Sequence, residues 1–242
     1  MAFSKLSGDE QGVILGQLRN TLEPCLVMYF SSASKELRAL LPPAVQQQLR
    51  TDFEEATALC PKVGMRDCRE LREAKVVSVG KEALLDHLAM VVDWHNKRLS
   101  AADLATLAKL GSVLPALEVL NLGEYTGSVG PDGVSRLAEG LVAGSLPAVT
   151  NLAITGLHVG DAGASALAVA LDRGALPRLK DLLLAYSAVS DAGLAALAPA
   201  LRRRTALKHL YLLGNPLGDE GLTAPSWRRR RLHARRRRRL LG

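Results

Sequence analysis

Three segments of this chain space their leucines identically: Leu117-Glu-Val-Leu120-Asn-Leu122, Leu179-Lys-Asp-Leu182-Leu-Leu184 and Leu207-Lys-His-Leu210-Tyr-Leu212. With the first apolar residue as anchor, a column reads Ala89, Leu117, Val149, Leu179 and Leu207, at intervals of 28, 32, 30 and 28 residues. A second column holds Val92, Leu120, Leu152, Leu182 and Leu210, and a third Trp94, Leu122, Ile154, Leu184 and Leu212. A unit this short cannot cover its own apolar face, so repetition implies neighbours that cover it.

Alternation within each segment sends the leucines to one face of a strand and the intervening residues to the other. Parallel strands need a return connection, and the Ala/Leu-rich stretch after each segment supplies one as a helix. Its columns are Leu107, Leu137, Leu167 and Leu197, then Leu141, Leu171 and Leu201. Asp161, Asp191 and Asp219 precede Gly163, Gly193 and Gly221 by two residues, where each is expected to cap the helix of its own unit. Pro199 is expected to shorten or kink the fourth helix. The second unit is two residues longer, within Gly123 to Gly130, which suits a rim loop. Tyr125 in that loop is either a contact residue or part of a tolerated insertion.

These residues resemble the leucine-rich repeat family, in its ribonuclease-inhibitor-like class with units of about 28 or 29 residues. The resemblance covers residues 89–222. The pattern Leu-x-x-Leu-x-Leu-x-x-Asn-x-Leu is complete once, from Leu207 to Leu217, with Asn215 in the Asn position; elsewhere that position holds Ser187, Leu157 and Lys97. In the family this Asn satisfies backbone groups at the bend after the strand, so its loss implies less regular turns. The resemblance implies an α/β fold: a short solenoid with parallel strands on a concave side and helices on a convex side. An α-helical N-terminal region, residues 1–88, precedes it, and an Arg-rich tail, 223–242, follows.

In the N-terminal region, Leu49, Phe53 and Ala56 share one side of a helix expected over Gln46 to Leu59, and Arg66 to Lys75 reads as a solvated helix. The segment from Leu22 to Pro42 is similar to an F-box, though the usual opening Leu-Pro pair and later Trp are missing. That similarity implies a substrate adaptor of a ubiquitin ligase. The plainer reading is a helical cover over the first unit's core.

Outward strand positions form three stripes, which are the expected binding surface for a protein partner. The first runs Val91, Val119, Asn151, Asp181, His209; the second Asp93, Asn121, Ala153, Leu183, Tyr211; the third His95, Gly123, Thr155, Ala185, Leu213. Asn121 and Asn151 supply polar contacts, and Leu183, Tyr211 and Leu213 a more apolar patch, with Tyr a common interface anchor. Asp181 beside His209 reads as a solvated polar pair rather than acid–base machinery, because no Ser or Cys nucleophile joins it. No Gly-rich phosphate loop appears either. The reading is therefore a non-catalytic interaction scaffold, with no cofactor, metal or small-molecule substrate implied. One small-GTPase activating family also uses this repeat class, which makes regulation of such a GTPase the analogous alternative.

The formal charge of +7 belongs to one end. Residues 228–242 carry nine arginines (Arg228, Arg229, Arg230, Arg231, Arg235, Arg236, Arg237, Arg238 and Arg239) and no acid, leaving 22 basic against 24 acidic residues elsewhere. Such clusters bind nucleic acid or a nuclear import receptor; the competing readings are a solvated tail or a coding-frame accident. The start lacks a basic stretch followed by an apolar one, and no apolar run approaches the roughly 18 residues that span a bilayer. An intracellular location is expected, cytoplasmic or, through the tail, nuclear. The odd count of three cysteines (Cys25, Cys60, Cys68) is expected to remain as thiols. Deleting residues 228–242 is expected to abolish binding to nucleic acid in an anisotropy titration, since the remaining chain sums to 22 basic against 24 acidic residues.

Overall fold

The computed structural model describes residues 43–79, 99–123 and 129–218. Five parallel strands lie side by side in chain order: β1 (Val76–Val79), β2 (Val119–Leu122), β3 (Asn151–Ala153), β4 (Asp181–Leu183) and β5 (His209–Tyr211). Two helices, α1 (Pro43–Leu59) and α2 (Cys68–Glu73), precede the sheet. Four more connect its strands: α3 (Ala101–Leu110), α4 (Gly130–Gly140), α5 (Gly160–Asp172) and α6 (Asp191–Arg203). Helices α3 to α6 pack on one another in sequence. Sequential order, parallel pairing and a helix in every connection are what the repeat spacing requires.

The core lies between sheet and helices. Every leucine-column residue from Leu117 to Leu212 is buried, and so are Leu107, Leu137, Leu167 and Leu197 on the facing helices. Burying one such leucine contributes about 1.5–3 kcal/mol, so the columns are the main apolar term in this fold. The helix expected from Gln46 to Leu59 forms as part of α1, with Leu49, Ala56 and Leu59 inward and Phe53 packed against the core. The charged stretch from Arg66 to Lys75 yields the short α2, whose Cys68 and Leu71 are buried. The F-box-like segment and the Arg-rich tail lie outside the described residues.

The sheet corrects the register of its first unit. Val77 pairs with Leu120, and Val76 with Val119, so the strand beside β2 is Val76–Val79 and not the one expected at Ala89 to Trp94. Ala74, Val77 and Val79 then take the column positions given to Ala89, Val92 and Trp94. Residues 89–94 lie outside the described residues. Helix α3 still follows as expected, capped by Ser100, whose hydroxyl accepts from the Asp103 amide while the Asp103 carboxylate accepts from the Ser100 amide.

The aspartates also do something other than expected. Asp161 lies in the first turn of α5, yet its carboxylate reaches the start of α6. It accepts from the Ser190 amide at 2.8 Å, the Ser190 hydroxyl at 2.6 Å and the Gly193 amide at 3.0 Å. Asp191 in turn accepts from the Gly218 amide. Asp161 and Asp191 thus each bind the following unit, and Asp219 lies outside the described residues. A Cβ at position 193 would stand 2.4 Å from the Asp161 carboxylate, so glycine is needed there for the approach. Helix α6 runs through Pro199 to Arg203, matching α5 in length at 13 residues. The carbonyl that Pro199 leaves without its helical donor belongs to exposed Ala195, where water can replace the lost bond.

The bend after each strand is closed between units as well. Asn215 donates to the Leu184 and Leu212 carbonyls, and its side-chain oxygen accepts from the Ser187 and Val189 amides at 3.1 and 3.0 Å. Ser187, in the same repeat position, performs the donor half: its hydroxyl lies 2.7 Å from the Ile154 carbonyl and 3.0 Å from that of Ala185. At the other end of the units, the Arg204 guanidinium donates to the Leu171 and Ala175 carbonyls where α5 ends.

Helix α1 lies against α3. Lys62 binds both Asp103 oxygens at 2.7 Å, and Lys109 binds Glu55 at 2.9 Å and Asp52 at 3.3 Å. Burial pushes the Asp103 carboxyl pKa up, but bonds from Lys62 and Ser100 outweigh it and leave the group below its ordinary value. Two outcomes follow. Asn215→Ala strands two amides and two carbonyls and should cost about 2–3 kcal/mol in urea denaturation, more than Ser187→Ala. Asp103→Asn should lower the urea midpoint at neutral pH by an amount equivalent to roughly 1–2 kcal/mol. Because the folded pKa is depressed, that difference should hold above about pH 4–5 and shrink as pH falls through the folded value.

Candidate protein-interaction face

The face of the sheet away from the helices is built by the register. Val76, Val119, Asn151, Asp181 and His209 form one row across the five strands, and Ala153, Leu183 and Tyr211 belong to the next, beside Asn121. Both rows match the expected stripes from β2 onward. On β1 the first row is completed by Val76, which is 51% exposed, and not by Val91. Asp93 and His95, like Val91, lie outside the described residues.

Exposure divides the expected contact residues. Asn151, Asp181, His209, Tyr211 and Leu213 are half-buried and present surface on this face. Asn121 and Leu183 are only 8% and 4% exposed. Leu183 sits between Ala153 and Tyr211 on adjacent strands, and side chains at directly paired positions cover one another. Asn121 spends its side-chain oxygen on the Gly123 amide at 3.1 Å, shaping the bend after β2. Both therefore support the face rather than offer area to a partner. Tyr125 lies outside the described residues.

One end of the first row carries charge. His209 Nδ1 and Asp181 Oδ1 stand 2.5 Å apart, and the His209 ring centroid lies 6.1 Å from that of Tyr211 at a tilt of 40°. All three side chains reach solvent in part. Strand pairing places them rigidly, so a ligand meeting them orders little backbone. In the middle of the row, Asn151 Oδ1 is buried without a hydrogen-bond partner among the described residues. Among those residues there is also no cluster of three His, Cys, Asp or Glu side chains that could hold a metal.

A hollow beside this face is not evident from strand periodicity. Gly156, His158, Tyr186, Ala188, Gly214 and Pro216 line an open cavity of about 530 Å³ after the C-terminal ends of β3 to β5. His158, Tyr186 and Ala188 have φ near +50°, unusual for residues with side chains. The Tyr186 ring, 47% exposed, lies across Gly214, where a Cβ would come within 2.3 Å of it. The available sequence signal is the pair of glycines, 156 and 214, in the same repeat position as Tyr186 on either side.

Comparison with known proteins adds little to this geometry. No family model matches the chain, and no curated protein matches it. Among solved structures, it is similar to leiomodin-1 actin-binding site 2, with 18% identity and a TM-score of 0.41. The match covers 50% of this chain and 66% of that one, just under two thirds of its length. Likeness at that level carries no argument about function. The described residues include no helix long and apolar enough to cross a membrane.

Proposed function

We propose that this chain is a non-catalytic interaction scaffold: a short leucine-rich-repeat solenoid of the ribonuclease-inhibitor-like class that binds a protein through its helix-free sheet face. The observation that carries the reading is the row of partly exposed side chains on paired strands. Asn151, Asp181 and His209 stand in register with Tyr211 beside them. An aromatic anchor next to fixed polar groups is a common composition for an interface centre. Asp181 and His209 engage each other with no Ser or Cys at the neighbouring row positions, which favours recognition over nucleophilic chemistry.

Affinity capture with the full chain, quantified by mass spectrometry, tests the assignment. The double substitution Asp181→Ala and Tyr211→Ala should weaken the captured partner by about 30-fold or more. Val169→Ser, on exposed surface of α5, should leave capture unchanged. Equal retention by the sheet-face variant and the wild type would place the binding surface elsewhere.

A further inference from the structure

The two described cysteines meet although eight positions separate them in sequence. Cys60 opens the 3-10 turn, residues 60–62, that ends α1, and Cys68 opens α2. Their Sγ atoms are 3.8 Å apart, both thiols are free, and the residues are 0% and 6% exposed. Cys60 donates to the Ala56 carbonyl at 3.1 Å, and Cys68 Sγ lies 3.5 Å from the Thr57 hydroxyl. Neither contact carries a catalytic or binding role in the proposed function.

We infer that Cys60 and Cys68 form a modification site: a thiol pair that a low-molecular-weight disulfide oxidises to an intramolecular bond, fastening the end of α1 to the segment that enters β1. Non-bonded contact at 3.8 Å becomes a covalent S–S bond of about 2.05 Å when the two sulfurs close by roughly 1.8 Å. The intervening loop contains Pro61 and Gly64, the latter at φ 84°. Burial, with neighbouring Cys68, pushes the Cys60 pKa up to about 12, keeping that thiol protonated. Cys68, the more exposed of the two, is therefore the first to react.

The chemistry balances as two exchanges. The Cys68 thiol loses its proton to solvent, and the thiolate attacks one sulfur of the reagent, breaking its S–S bond and expelling one thiolate, which takes up a proton. The mixed disulfide then lies beside Cys60. The Cys60 thiol attacks Cys68 Sγ, and its proton passes to the second reagent thiolate as that thiolate is expelled. Two protein thiols are oxidised and one reagent disulfide is reduced to two thiols. The product closes a nine-residue loop, tying α2 and the start of β1 to the helix that contacts α3.

The test uses the full chain in a Cys25→Ser background, treated with oxidised glutathione while folded, alkylated, digested and weighed. The expected product is a Cys60–Cys68 linked peptide pair two mass units lighter than the dithiol. A higher urea midpoint, reversed by dithiothreitol, should accompany it. Adding Cys60→Ser should leave Cys68 as a glutathione mixed disulfide. Two free thiols in the treated folded protein that react only after unfolding would overturn the site. A stable mixed disulfide at Cys68 with Cys60 intact would do the same, and a bond that forms without raising the midpoint would overturn the fastening role.

Discussion

A strand of three or four residues can bury its leucines only when another strand lies alongside and a helix covers both. That neighbour dependence governs the protein from β1 to β5. It applies to polar groups as well as to the core. Asp161 holds the start of the next helix, Asn215 and Ser187 reach back to carbonyls of the preceding unit, and Arg204 closes the end of α5. Among the described residues, the turns of the units from β3 to β5 draw part of their partners from a neighbouring unit. Stability therefore resides in the junctions between units as much as within them.

The repeat's existence was readable because leucine spacing at period two along a strand and a fixed offset to the helix leaves few alternatives. Its starting point was not. Ala74-x-x-Val77-x-Val79 and Ala89-x-x-Val92-x-Trp94 fit the same template, and only the second keeps a regular interval of 28 residues. The actual strand precedes β2 by 43 residues, so regular length favoured the wrong segment. The aspartate column shows a related limit. Sequence places Asp161 beside Gly163, whereas the neighbouring unit offers Ser190 and Gly193 within reach of the same carboxylate. Proximity along the chain cannot rank those two sets of donors.

The helix-free face of the sheet was legible in part for the same reason. Alternation correctly sends Asn151, Asp181 and Tyr211 away from the helices. It says nothing about how cross-strand neighbours shade one another, and so it credited Leu183 and Asn121 with accessible surface. The hollow beside Tyr186 escaped because it is made by backbone in the left-handed region and by Gly214 lying under an aromatic ring. Neither is a periodic property of side chains.

The links through Asp161 and Asn215 have a dynamic consequence. Side chains from an adjacent unit hold the amides of Ser187, Val189, Ser190 and Gly193. Exchange of their hydrogens with solvent is then gated by separation of two neighbours, not by fraying of the helix or turn in which each amide lies. Those four positions act as local gauges of how firmly one unit is seated on the next.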